Sequence, residues 1–379
     1  VLANESFTNS GGDFAINGSF NLRGGTTTVV QVSTRGIGIN SGAVLRVSGT
    51  GTVLNANWVK PGNLLGSTNS VFWIENGGIA NLGGLSVGSN ANKFGFGAYA
   101  LGVGAAIVTN GGILRTDKFS TASNGMGSIS VVASTVELAT NTPVVILGTA
   151  GSFTFASSTL AFRGVTNANF FSSPVTNITY SGDNTLSLRA ATNAMLGSYT
   201  FQTNNGQAFA FLDLQGGVFR STNLTVGSGG KITGSGLVAS FNVNSQGTLA
   251  PGNSPGTLAF ASNLTLDAAS VLNIELGGTN SVDFDRLIAN GALNLGGTLN
   301  VTLINGYTPG AGDTVDILDW GAIFGSFSTV NLPSAEWSAA NLYTDGTLTF
   351  AAIPEPAAGT VLVGALALLV LVRGLRRGE

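Results

Sequence analysis

Apolar residues recur at every second position in short phrases throughout this chain. In "VLNIEL", Leu272, Ile274 and Leu276 alternate with Asn273 and Glu275, and Leu264 and Leu266 do the same just before. A two-residue period buries one face of a strand and leaves the other outside. Gly-Gly, Asn-Gly, Ser-Gly and Asp-Gly separate the phrases, as turns do. "GAVLRVSGTGTVLNANWV" starts at Gly42, "GGIANLGGLSVGS" at Gly77 and "GGILRTDKFS" at Gly111, and the triplet Gly-Thr-Leu begins at Gly247, Gly256, Gly297 and Gly346. No run before Pro354 keeps a helical period. The body is therefore predicted to be all-β.

Two architectures accept many short strands: a sandwich with long crossings, or a β-solenoid whose coils pair only with their neighbours. Over residues 1–350 no boundary breaks the pattern, which favours the solenoid. Composition agrees. Charged residues make up 9% of the 379 residues, against about 25% in an average globular chain. Stacked coils place like residues one above another, where like charges repel and Asn or Thr hydrogen-bond. At ~22 residues per coil the body would hold about 16 coils and measure roughly 75 Å. The segment 165–215 repeats least clearly and reads as an insertion or a looser coil.

The same composition removes several functions. Without cysteine there is no disulfide framework or thiolate metal site. Without histidine the chain cannot build a Ser-His-Asp arrangement by itself. A net charge of −3 with no basic block argues against nucleic-acid partners. The start, Val1-Leu2-Ala3, has the small-residue spacing that a signal peptidase cuts after, and reads equally as an arbitrary chain start.

The last residues differ from everything before them. Pro354-Glu355-Pro356 leads into Ala357–Val372, which has no charge and no proline, and then come Arg373, Arg376 and Arg377. Sixteen helical residues would span about 24 Å, close to a hydrocarbon core, and the arginines would stay cytoplasmic. Residues 357–372 are thus predicted to be a single transmembrane helix, after a 351–356 linker and before a basic 373–379 tail. This order of parts closely resembles the PEP-CTERM sorting signal of Gram-negative bacteria. The resemblance implies an exosortase-type partner, transient residence in the inner membrane, and delivery to the cell surface or extracellular matrix. Gly378-Glu379 after the arginines is a small departure from that pattern.

A second resemblance lies in Gly236–Gly278, "GLVASFNVNSQGTLAPGNSPGTLAFASNLTLDAASVLNIELGG", and in Phe284–Pro333. Both are similar to autotransporter-type passenger repeats, over roughly residues 216–350. That resemblance implies a right-handed parallel β-helix. A true passenger would also need a C-terminal membrane barrel of alternating strands, where this chain carries an apolar run.

Enzymes of β-helix fold work with clustered carboxylates and basic residues. Asp283, Asp285 and Arg286 form the best local cluster, with two aspartates on one face if the segment is a strand. Asp313, Asp316 and Asp319 form a second, whose spacing of three does not keep one strand face. Both also read as solvated turns. "APGNSPG", Ala250–Gly256, lacks the Lys-Ser/Thr of a phosphate loop and reads as a turn. Trp58, Trp73, Trp320 and Trp337 could stack on sugars, or pack the coils. Asn-x-Ser/Thr sequons at Asn4, Asn17, Asn177, Asn223, Asn263 and Asn300 read as chance. Together these features lead to the expectation of an exported, non-catalytic surface protein. It would have no cofactor, metal or catalytic residue, and would be structural or adhesive and associated with exopolysaccharide. The alternative is a surface polysaccharide lyase or hydrolase.

Overall fold

The computed structural model describes residues 6–9, 14–31, 36–61, 68–87, 104–116, 118–121, 127–138, 144–146, 152–162, 178–194, 198–203, 209–252 and 254–351. Every element among them is a β-strand. The expected membrane helix and the sorting residues Pro354, Glu355, Pro356, Arg373, Arg376 and Arg377 lie outside the described residues. Among the described residues no helix is long and apolar enough to cross a membrane.

The strands stack as parallel coils. One ladder of fourteen strands runs from Ser6–Asn9 to Thr329–Asn331, each strand paired in parallel with its counterpart one coil away. At the usual inter-strand spacing the ladder is about 60 Å long. A 7-stranded sheet flanks its N-terminal half and an 8-stranded sheet its C-terminal half. The chain is thus a β-solenoid, somewhat shorter than a uniform 22-residue coil predicts. Coil length varies from 17 residues, between paired Lys231 and Thr248, to 34, between Ile79 and Ile113. The corners absorb the difference, because register is held only by the strands. Segment 165–215 holds described strands of the stack. Its described strands Thr185–Ser187 and Phe211–Asp213 continue the same ladder.

Register explains the core. Leu54, Ala80, Leu114, Val136, Leu160, Leu186, Leu212, Ile232, Leu249, Leu272 and Leu299 stand in one inward column, and none is more than 2% exposed. Each buried leucine contributes about 1.5–3 kcal/mol. One residue later the column faces outward, and there polar side chains bond along the axis. Asn81 donates to Asn55 at 2.7 Å, Asn300 to Asn273 at 3.0 Å and Asn331 to Asn300 at 2.8 Å. A second ladder joins Asn223 to Ser198, Asn242 to Asn223 and Asn263 to Asn242, so the sequon asparagines Asn223, Asn263 and Asn300 are rungs of these ladders.

Tight corners link the sheets. At Asn76-Gly77 both residues have positive φ, 54° and 78°, and the Gly78 amide closes the turn on the Glu75 carbonyl at 2.9 Å. A Cβ on Gly78 would sit 2.5 Å from the Val47 carbonyl oxygen of the coil below, so only glycine fits. Other corners are polar and bridge coils. The Ser134 amide donates to the Ser158 hydroxyl, and the Ser158 amide to the Asn184 side chain at 2.9 Å.

The last residues depart from the expectation of parallel strands to residue 350. Thr314–Asp316, Thr347–Phe350 and Trp337–Ser338 form a 3-stranded antiparallel sheet. Val315, Ile317, Leu318, Trp337, Leu342 and Leu348 are buried beneath it, and Trp337 packs edge-on to Phe350 at 5.4 Å. A stack of parallel coils ends in open edges and an open core, and this sheet covers part of that end.

Candidate functional site

The two acidic clusters seen in the sequence are separated and recombined by the fold. Asp283 and Asp285 precede the strand Arg286–Leu295 and do not share a strand face. Asp283 is half-buried in a bend and accepts from the Asn280 side chain at 2.7 Å. Asp285 is buried. Its Oδ1 accepts the Gly256 amide at 2.8 Å and its Oδ2 the Glu275 amide at 3.0 Å, pinning the Gly252–Gly256 loop to the adjoining coil. Burial raises Asp285 to about 7, against the two amides, with the nearby Glu275 carboxylate adding to the rise. Ser254, at φ 62°, donates its hydroxyl to Glu275. The "APGNSPG" segment is therefore a corner between coils, but one drawn tight around a buried carboxylate.

Arg286 unites the clusters. Strand Leu318–Gly325 pairs with Arg286–Leu295 and sets Asp319 beside Ile288, where Arg286 Nη2 donates to both Asp316 and Asp319. Burial raises the Asp316 carboxyl; Arg286 opposes that rise, and Asp319 and Asp345 add to it. Asp313 stands apart. It accepts from Tyr307 Oη at 2.6 Å and from the Gly310 amide at 2.8 Å, bonds that hold it below the ordinary value. Among the described residues no group of three or more Asp or Glu could hold a metal ion.

A third charged group was invisible in the sequence. Glu137 lies on the outward face, 5% exposed, with Arg115 Nε at 2.6 Å and Arg189 Nη1 also bonded to it. Burial pushes the carboxyl up, but the two guanidinium groups outweigh it and hold it below the ordinary value. Its partners are 22 and 52 residues away. Arg189 reaches across Ala161, which occupies the Glu137 column one coil on and leaves room.

The aromatics mostly pack. Trp337 is buried in the terminal sheet, and Trp320 lies against the core. Trp73 is half-buried on the outer face, with the Arg46 guanidinium 4.5 Å from its ring centre. Trp58 is also half-buried.

Chemically, the strongest arrangement is the Ser254 hydroxyl, Glu275 and Asp285. The Ser254 hydroxyl bonds the Glu275 carboxylate, and the Glu275 amide bonds the Asp285 carboxyl, so the three residues meet at one corner. Of the two carboxyls, only the half-buried Glu275 can meet a bound hydroxyl or water, because Asp285 is buried.

No family model matches the chain. A 114-residue segment is 31% identical to an extracellular serine protease of Serratia marcescens, covering 30% of this chain and 10% of that protein. The matched segment is thus a tenth of the relative's length. This match corrects the expectation that the chain is not an enzyme, since the protein sharing the segment is a protease and the similarity points toward an enzyme.

Proposed function

We propose that this chain is the β-solenoid body of an exported bacterial surface protein with hydrolytic chemistry outside the cell. Its coils wind right-handed, its PEP-CTERM-like tail is read by an exosortase-type enzyme at the inner membrane, and exopolysaccharide surrounds it at the surface. The observation that carries the reading is the unbroken parallel stack, from Ser6 to Asn331, joined to a segment shared with an extracellular protein. A rod with apolar residues inward and neutral hydrogen-bonding rows outward suits display at a surface. Many weak contacts along such a face add up to firm association through multivalency. A second reading, a polysaccharide hydrolase, draws on the Glu275–Asp285 pair.

Two experiments test these statements. In cells with an exosortase, the parent chain should leave the inner membrane. A variant carrying Pro354→Ala, Glu355→Ala and Pro356→Ala should stay there intact, and equal release of the two would overturn the sorting reading. Purified chain should also be assayed against casein and a polysaccharide panel. Hydrolysis lost in Glu275→Gln and Asp285→Asn supports the Ser254–Glu275–Asp285 group as its seat. Turnover unchanged in both removes that assignment.

A further inference from the structure

One outward face in the C-terminal half of the stack is neutral. Residues 198–201, 223–226, 242–245, 263–266 and 292–295 build it, stacked in parallel. One of its columns is the ladder of Ser198, Asn223, Asn242 and Asn263, whose side chains bond to each other along the axis. The other is Thr200, Thr225, Asn244, Thr265 and Asn294. Neither holds a charge, whereas the outward columns of the long ladder include Arg115, Glu137, Asp213, Lys231 and Glu275. The asparagine ladder uses its amides within the stack. In the second column Asn294 donates to Thr265 at 3.2 Å, but among the described residues the side chains of Thr225 and Asn244 have no hydrogen-bond partner. Asn244 is exposed and Thr225 half-buried. Two phenylalanines border this face. Phe241, 68% exposed, stands at its corner beside Asn242, and Phe324, 58% exposed, continues the second column one coil beyond Asn294. The two rings are three coils apart, roughly 14 Å along the axis.

We propose that this face binds a neutral polysaccharide chain, laid along the rod axis between Phe241 and Phe324 with its hydroxyls on Thr225, Asn244 and Thr265. The inference deepens the reading of a surface protein amid exopolysaccharide, and rests on it for where such a polymer is met. A sugar ring combines an apolar face of C–H groups with a rim of hydroxyls that donate and accept. Flat aromatic rings suit the first, and neutral amides and hydroxyls the second. A charged polymer would lose hydration over a face that offers it no opposite charge. An apolar protein surface would leave the Thr225 and Asn244 groups buried without partners, where sugar hydroxyls would pair with them. Each contact is weak by itself, and the repeat along the axis lets a long polymer make many of them at once.

The test is binding of the full-length chain, kept in detergent, to beads carrying dextran, laminarin or galactomannan, with alginate beads as the charged comparison. At least one neutral polymer should hold the parent chain, equally at about 0.05 and 0.5 M salt, and alginate should not. The dissociation constant for that polymer should rise about ten-fold in Phe241→Ala and in Phe324→Ala. Both rings are exposed, so these variants should keep the parent's unfolding midpoint, and a loss of binding then reports on the face. Val282→Ala, which trims a 75% exposed side chain away from this face, should bind as the parent does. Binding to none of the neutral polymers would overturn the proposal, as would binding unchanged in both phenylalanine variants or lost equally in Val282→Ala. Binding to alginate that weakens with salt would assign a charged ligand and another face, which also overturns it. The assay contains no exosortase, so its outcome and that of the sorting experiment fail independently.

Discussion

Asp285 shows how one residue can set the behaviour of a corner. Its carboxylate satisfies two amides from different coils, yet burial lifts it to about 7 from an ordinary 3.8. A raised carboxyl binds its proton more tightly in the folded chain than in the unfolded one. The resulting stability is fully present below the unfolded value and is lost as pH rises through the folded one. The unfolding midpoint should therefore fall as pH rises from about 4 to about 7. In Asp285→Asn, which keeps one acceptor and cannot ionise, that slope should flatten. A denaturant titration at several pH values measures both, and an equal slope in the variant would show that another group titrates. Glu137 works in the opposite direction, being held ionised by Arg115 and Arg189. Glu137→Gln removes the charge that two guanidinium groups share and should cost about 1–3 kcal/mol. The cost should shrink in high salt, because both arginines are more than a third exposed.

At the scale of an element, the unit of this protein is the rung: an inward leucine, an outward ladder residue and a corner. Asn300 donates to Asn273 and accepts from Asn331, so Asn300→Ala removes two hydrogen bonds at once, about 1–3 kcal/mol. Leu212→Ala opens a cavity in a column that cannot collapse along its axis, for about 2–5 kcal/mol. Each rung contacts mainly its neighbours, so both losses should be local. Amide exchange should speed up within one coil of the substitution and stay unchanged five coils away. A uniform rise along the rod would mean that the coils unfold as one unit.

For the whole molecule, the C-terminal sheet decides where the stack stops. Trp337→Ala empties the contact with Phe350 and leaves a gap in the terminal sheet. It should lower solubility and raise exchange at residues 314–350 without disturbing coils near residue 54, which hydrogen exchange would show directly. Alternation such as Leu272-Asn273-Ile274 was sufficient, from the sequence alone, to establish strands. The absence of a boundary over residues 1–350 favoured a stacked rod over a sandwich, while a two-residue period dictates which face is buried whatever the neighbour. The same period cannot say which coil lies next to which. The register that sets Arg189 over Glu137, the loop that closes on Asp285, and the pairing that brings Arg286 to Asp316 and Asp319 all depend on coil lengths between 17 and 34 residues. Asp283 and Asp285 looked like one pair because they are adjacent in sequence. The fold buries Asp285 and leaves Asp283 half-buried in a bend ahead of the strand. Antiparallel closure at Thr314–Phe350 was equally hidden, because Thr347-Leu348-Thr349-Phe350 alternates just as the parallel strands do. Direction is a property of the partner strand, and only the tertiary structure supplies the partner.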